Sequence, residues 1–236
     1  MGNIFITGVS GGLGKAMAEY FIRAGGAVFG VSRSAPKDLL QFENFSFRSL
    51  DLGNHESIPP CLDALFTDNQ FDLFMLNAGT IGQYGDLADI SLQEAKHVED
   101  VNVWSNKVIL DYCLQKKMSV RQVVAISSGA SVSDARGWSA YGVSKAALNM
   151  LIRMYAAEIP ETHFCSLAPG IVDTSMQEYL YSLGKDDKYQ TLGVLQSAKE
   201  SGKMPSAEAA AENIINALPK IRETIKSGGY ADIRKL

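Results

Sequence analysis

Thr7-Gly8-Val9-Ser10-Gly11-Gly12-Leu13-Gly14 follows a short apolar run, Asn3 to Thr7, and leads into Ala16, Met17, Phe21 and Ile22 at helical spacing. The run is too short for a helix and the residues after the glycines recur with a 3.6-residue period, so the stretch reads as strand, tight turn and helix. Glycine lets the backbone come close to a pyrophosphate, and the start of the helix offers unpaired N–H groups and the positive end of its dipole. A glycine turn alone needs only a positive φ. The flanking strand and helix favour a dinucleotide, with Gly8, Ser10, Gly11, Gly12, Leu13 and Gly14 on its phosphates.

Outward from this turn the alternation repeats. Strand-like runs span Ala27 to Val31, Phe45 to Leu50, Phe71 to Leu76, Val123 to Ile126 and His163 to Leu167, with a closing strand at Tyr230 to Ile233. Helical patterns lie between them: one through Ile58, Leu62, Leu65 and Phe66, and a long one opened by the capping box Ser91-Leu92-Gln93-Glu94 that carries Asn102 in its middle. A third runs from Tyr141 to about Glu158, and a last one is capped by Ser206. Between Gly170 and Lys203 the text is irregular, with Gly184, Gly193 and Gly202 interrupting apolar clusters. Strands alternating with helices predict an α/β fold: one Rossmann-type, doubly wound parallel sheet, a single domain over residues 1–236.

Besides Ala168-Pro169-Gly170 after the His163 run, four strand tips carry polar or small residues, where an open parallel sheet receives its ligand. They are Ser32-Arg33-Ser34, Asp51-Leu52, Asn77-Ala78-Gly79 and Ser127-Ser128. A carboxylate at the second tip would bind the ribose hydroxyls of NAD, whereas an arginine there accommodates the extra phosphate of NADP. The chain offers Arg33, with Ser34 beside it and no acid before Asp38, which predicts NADP(H).

With 46% hydrophobic and 20% charged residues and a net charge of −4, nothing points to nucleic acid or an anionic membrane as partner. Cys61, Cys113 and Cys165 are too few and too scattered for a disulfide framework or a zinc site and read as buried thiols. His55, His97 and His163 share no ligand spacing, so no metal is expected and no chemistry is assigned to them. Ile6 stands where a myristoylation signal needs Ser or Thr, and no apolar stretch reaches the ~18 residues of a span. The expected location is cytoplasmic.

Tyr141 and Lys145 stand four apart at the opening of their helix and so share a face. An ammonium beside a phenol favours the phenolate, which predicts a lowered Tyr141 pKa and a proton donor or acceptor usable near neutrality.

Taken together, the glycine turn, Asp51-Leu52, Asn77-Ala78-Gly79, Asn102, Ser128, Tyr141 with Lys145, and Pro169-Gly170-Ile171-Val172-Asp173-Thr174 resemble, in order and over nearly the whole chain, the short-chain dehydrogenase/reductase family in its compact branch. The resemblance implies a catalytic group of Asn102, Ser128, Tyr141 and Lys145. Tyr141 gives a proton to a substrate carbonyl while nicotinamide delivers hydride, and Ser128 hydrogen-bonds the same oxygen. Lys145 tunes Tyr141 and binds the nicotinamide ribose; Asn102 disturbs its helix to hold a relay water. It implies further that Asp51 meets the adenine and that Asn77, Ala78 and Gly79 line the ribose side. Pro169, Gly170, Val172 and Thr174 would hold the carboxamide. A homodimer through the two long helices is expected, and a tetramer is doubtful because Ser227 to Leu236 lacks the family's glycine-rich closing text.

The family places a substrate lid at about 175–203, where Met176, Tyr179, Leu180, Tyr181, Leu183, Tyr189, Leu192 and Leu195 supply apolar surface; Gly184 and Gly193 suggest a short mobile helical pair. Trp138 adds an aromatic wall. Arg136, Lys185 and Lys188 argue instead for a charged substrate, with Asp186 and Asp187 offsetting the lysines. The expected substrate is an apolar ketone or diketone, as in sepiapterin- and benzil-reductase-like members. The alternatives are a 3-oxoacyl thioester reductase and a non-catalytic sensor of NADP(H) on the same fold.

Overall fold

The computed structural model describes residues 2–236. Seven strands form one sheet in the order β3-β2-β1-β4-β5-β6-β7, every pairing parallel. They are β1 (Asn3–Thr7), β2 (Ala27–Ser32), β3 (Phe45–Ser49), β4 (Gln70–Leu76), β5 (Ser119–Ile126), β6 (His163–Ala168) and β7 (Gly229–Asp232). Because β1 lies between β2 and β4, the chain turns opposite ways on its two sides, and a crevice opens at the carboxyl ends of β1 and β4. The closing strand is present: β7 pairs with β6 from Cys165–Gly229 to Ala168–Asp232.

The pleat of β1 sorts its side chains between two apolar layers. Ile4 and Ile6 join the core under α1 (Gly12–Arg23), with Met17 and Phe21, whereas Phe5 points into the opposite layer. There Phe5 meets Phe74 at 4.9 Å and Phe66 at 5.0 Å, and Phe71 meets Phe74 at 5.1 Å. Edge-on contacts of this kind suit the ring quadrupoles. α2 (Ile58–Leu65) covers this layer through Ile58, Leu62 and Leu65.

Two helical expectations change. The long helix after Ser91 starts at its cap, since Ser91 Oγ accepts from Glu94 N–H at 3.1 Å, but it is not continuous. α3 (Leu92–Glu99) gives way to a π-turn at Asp100–Trp104 before α4 (Ser105–Gln115). α5 (Ser139–Glu158) ends where expected. The irregular stretch holds two helices, α6 (Ser175–Ser182) and α7 (Gln190–Glu200); Gly184 and Gly202 stand in the turns after them, but Gly193 lies inside α7. α8 (Ala207–Thr224), capped by Ser206 Oγ on Ala209 N–H at 3.2 Å, runs past Leu218 and through Pro219. Cys113 and Cys165 are buried, but Cys61 is only partly so, because α2 turns it towards the rim of its layer.

Candidate active site

A cleft of about 710 Å³ follows the carboxyl ends of the strands from the glycine turn to the start of α5. Its floor is set by β1 and β4. Thr7 Oγ1 accepts from the N–H of Asn77 and of Ala78, both at 2.9 Å, and Asn77 Nδ2 returns a bond to the Thr7 carbonyl at 3.0 Å. These bonds hold Gly8 and Gly14 against Asn77: a methyl on Gly14 would collide with the Gly8 carbonyl and the Asn77 amide. The first turn of α1 has neither a capping side chain nor an acid. Ser10, Gly11, Gly12, Leu13 and Gly14 present its open end to the cleft. A glycine cradle at an uncapped helix N-terminus fits a pyrophosphate.

The expected cofactor residues line the cleft with one exception. Ser34 stands outside it, because the chain turns at the strand tip and Ser32 Oγ donates to the Ser34 carbonyl at 2.8 Å. Arg33 reaches the cleft and is exposed, while the nearest acid after it, Asp38, is held by Lys15 at 2.6 Å. His97, to which the sequence gave no role, also lines the cleft, as does Val101.

At the other end α5 brings Tyr141 and Lys145 to the cleft, both buried, opposite the loop that carries Ser128. Ser128 opens a short helical turn, its Oγ accepting from Ala130 N–H at 3.1 Å. Its neighbour Ser127 donates to Asn149 at 2.6 Å, Asn149 donates to Ser131 at 2.9 Å, and Ser131 donates to the Ser128 carbonyl at 2.6 Å. α5 thus anchors both the phenol and the serine loop.

Asn102 is fully buried within the π-turn. Its Oδ1 accepts from Thr80 N–H at 2.8 Å; its Nδ2 donates to the Thr80 carbonyl at 2.8 Å and to Ser144 Oγ at 2.9 Å. Side chains add bonds to the carbonyls of this wide turn: His55 Nε2 meets the Asp100 carbonyl at 2.9 Å, which also accepts from the Ser105 N–H, and Asn106 Nδ2 donates to the Asn102 carbonyl at 2.9 Å. Gly79 is needed for close approach, since a methyl there would come within 3.1 Å of Asn102 Oδ1 and 3.3 Å of Lys145 Nζ.

The expected lowering of the Tyr141 pKa is not what the structure shows. Burial pushes the phenol up, and a hydrogen bond with Ser128 opposes this only in part. Lys145 Nζ donates to the Ile126 carbonyl at 2.8 Å and lies 5.7 Å from the centre of the Tyr141 ring. Burial pushes the ammonium down to about 8. Desolvation disfavours both charged forms, so at neutral pH the site holds a protonated phenol and a protonated, easily discharged amine.

Aromatic rings wall this end. Trp138 lies 5.5 Å from Tyr141 and meets Tyr84 edge-on at 5.4 Å, and Tyr84 meets Tyr189 at 5.3 Å. Met176 and Leu195 line the cleft from α6 and α7, while Leu180 and Leu192 are buried behind them and Leu183 is exposed. Arg136 does not line the cleft: it makes a fork on Asp86 with bonds of 2.7 and 2.6 Å, and Lys188 reaches the same carboxylate at 2.9 Å. The guanidinium and ammonium hold Asp86 well below the usual carboxylate range, so neither cation is left to clamp an anionic substrate.

Residues 2–183 match the family model for short chain dehydrogenase. The chain belongs to the short-chain dehydrogenase/reductase family. Its members bind nicotinamide cofactors and act on small molecules. The chain is 29% identical over 232 residues to a benzil reductase ((S)-benzoin forming) of Bacillus cereus, with 91% of this chain and 93% of that one covered. It is 27% identical over 251 residues to the sepiapterin reductase of Mus musculus, with 96% and 94% covered. A short-chain dehydrogenase/reductase structure from Saccharomyces cerevisiae superposes with a TM-score of 0.87 at 26% identity, covering 99% of this chain and 96% of that one. The resemblance read from the motifs is therefore correct, and a carbonyl-reducing oxidoreductase is the role these relatives support.

Proposed function

We propose that this short-chain dehydrogenase/reductase is an NADPH-dependent reductase of apolar ketones or diketones. One observation carries the reading: the Tyr141 phenol, the Ser128 hydroxyl and the Lys145 ammonium meet at one end of a dinucleotide-shaped cleft, under a wall of Trp138, Met176 and Leu195. The names of the benzil and sepiapterin reductases lend it support. A reduced nicotinamide, when bound, supplies hydride to the carbonyl carbon. Ser128 donates a hydrogen bond to the carbonyl oxygen, and Tyr141 passes its proton to that oxygen as charge develops there. Lys145 favours this transfer by its charge, and Asn102 is the residue the family likeness assigns to holding a relay water.

In this reading Gly8 to Gly14 hold the pyrophosphate, Asp51, Leu52 and Asn77 to Gly79 the adenosine, and Pro169 to Thr174 the carboxamide. Residues 175–203 form a lid that excludes water. The free cysteines suit a reducing, cytoplasmic setting, and fractionation tests it: recovery in an oxidising compartment contradicts that part. No helix among the described residues is long and apolar enough to cross a membrane. The exposed Trp104, Val143, Met150 and Met154 near and along α4 and α5 support a homodimer through these helices. A monomeric mass in light scattering contradicts this.

Arg33 sets the cofactor. With Asp38 taken by Lys15, the tip of β2 offers a phosphate a cation and no acid of its own. Arg33→Ala is expected to raise the KM for NADPH roughly 10- to 100-fold, the value of one charge-assisted contact, and to leave that for NADH within about twofold. Steady-state kinetics with both cofactors decide it; equal losses, or none, remove Arg33 from the phosphate site.

The pH profile follows from burial. The active form for reduction carries protons on both Tyr141 and Lys145, and it is populated below the Lys145 pKa of about 8. As pH rises past that value the ammonium discharges, so kcat for reduction should be level from about pH 6 to 7.5 and decline above about 8. A rate of reduction that climbs through pH 9 would contradict these assignments.

A further inference from the structure

The catalytic end of the cleft carries a cation that plays no part in the chemistry above. Arg234 lines the cleft from the turn after β7, and its side chain is 60% exposed. A methyl on Gly129 would sit 3.9 Å from Arg234 Nη2, and one on Gly170 would sit 3.5 Å from Arg234 Cδ. The guanidinium therefore stands next to the residue that follows Ser128. The same strand is tied to the serine loop by Tyr230, whose hydroxyl donates to the Ser128 carbonyl at 3.5 Å.

Asp232 fixes the orientation of Arg234. Its carboxylate is 7% exposed and accepts from Nε at 2.9 Å, from Nη2 at 2.6 Å and from the Arg234 backbone N–H at 3.0 Å. A guanidinium has five N–H groups in a rigid fork, so two are used here and three, on Nη1 and the outer side of Nη2, remain. Because Asp232 offsets the positive charge, an anion gains little at this edge. A neutral acceptor oxygen loses less hydration and takes the same donors.

We infer that Arg234 is a specificity residue that donates to a second, neutral carbonyl oxygen on the substrate, so that the site selects vicinal diketones over simple ketones of the same body. The inference rests on the reductase reading. The placement fits it: Arg234 Nη2 stands beside Gly129, the residue after Ser128, so a substrate whose first oxygen meets the Ser128 hydroxyl presents a vicinal oxygen on the Arg234 side. The plainer role for Arg234 is to neutralise Asp232 at the surface. That role gives no reason for one ketone to be preferred.

The experiment compares benzil with deoxybenzoin, in which a methylene replaces the second carbonyl, on the purified full chain with NADPH. Wild type, Arg234→Ala and Arg234→Lys are measured; the lysine variant keeps an ammonium for Asp232 and so protects the fold. The ratio of kcat/KM for benzil to that for deoxybenzoin is expected to fall about 10- to 100-fold in both variants, chiefly through the KM for benzil. A ratio within about twofold of wild type in both overturns the assignment. So does a larger loss on phenylglyoxylate than on benzil, which would make Arg234 an anion site. Wild-type protein that binds NADPH and reduces neither ketone fails the reductase reading itself, and that failure is visible before any variant is made.

Discussion

Tyr141→Phe is expected to lower the rate of carbonyl reduction by roughly 10²- to 10⁴-fold, the usual contribution of a positioned general acid. The ring should stay where it is, since Tyr141 is buried beside Trp138 and lies 5.7 Å from Lys145 Nζ. Only the hydroxyl and its bond with Ser128 are removed. NADPH binding, followed by nucleotide fluorescence, should hold near the wild-type value, so the loss belongs to the proton and not to the cofactor. A variant that keeps more than a tenth of the wild-type rate at neutral pH would contradict the role given to the phenol.

Gly14→Ala should have the largest effect on the fold around the cofactor. The added methyl has no room between the Gly8 carbonyl and the Asn77 amide, so α1 must move off the β1 turn. Overpacking of this kind costs about 1–3 kcal/mol, which for a chain of this size lowers Tm by roughly 2–12 °C. It also displaces the helix end proposed to hold the pyrophosphate, and NADPH affinity should fall by more than tenfold. Gly193→Ala is the control: it lies in α7 with nothing within 4 Å, and should be neutral or stabilising by up to about 1 kcal/mol. Equal melting temperatures and equal affinities for the two variants would contradict the cradle.

What the sequence made legible was what local chemistry determines. The strand ending at Thr7, the Ser91 and Ser206 caps and the helix through Tyr141 and Lys145 each follow from periodicity and a nearby polar residue. The family's motif order then carried the residues of the cleft. The rest depends on contacts between distant segments. Asn102 sits in a π-turn stabilised by Thr80, Ser144 and His55, none of which signals that turn in its own neighbourhood. Arg136 looked available for a substrate until the fold brought Asp86 to it across fifty residues. The direction of the Tyr141 shift depends on how deeply α5 is buried, which spacing on a helix does not give. Arg234 lay in a stretch judged for its strand content and its part in a tetramer, and it reaches the cleft because β7 completes the sheet beside β6.

Transfer of hydride from a nicotinamide to a carbonyl is what separates a reductase from a protein that merely holds the dinucleotide. The most direct measurement is reduction of benzil with NADPH deuterated at the transferable C4 position, with the product examined by mass spectrometry and proton NMR. One deuterium is expected on the carbinol carbon of a single enantiomer, formed by the wild type and lost in Tyr141→Phe. NADPH that binds the wild type while no carbonyl of an apolar panel acquires the label would contradict hydride transfer and favour a protein that senses the cofactor without turning it over.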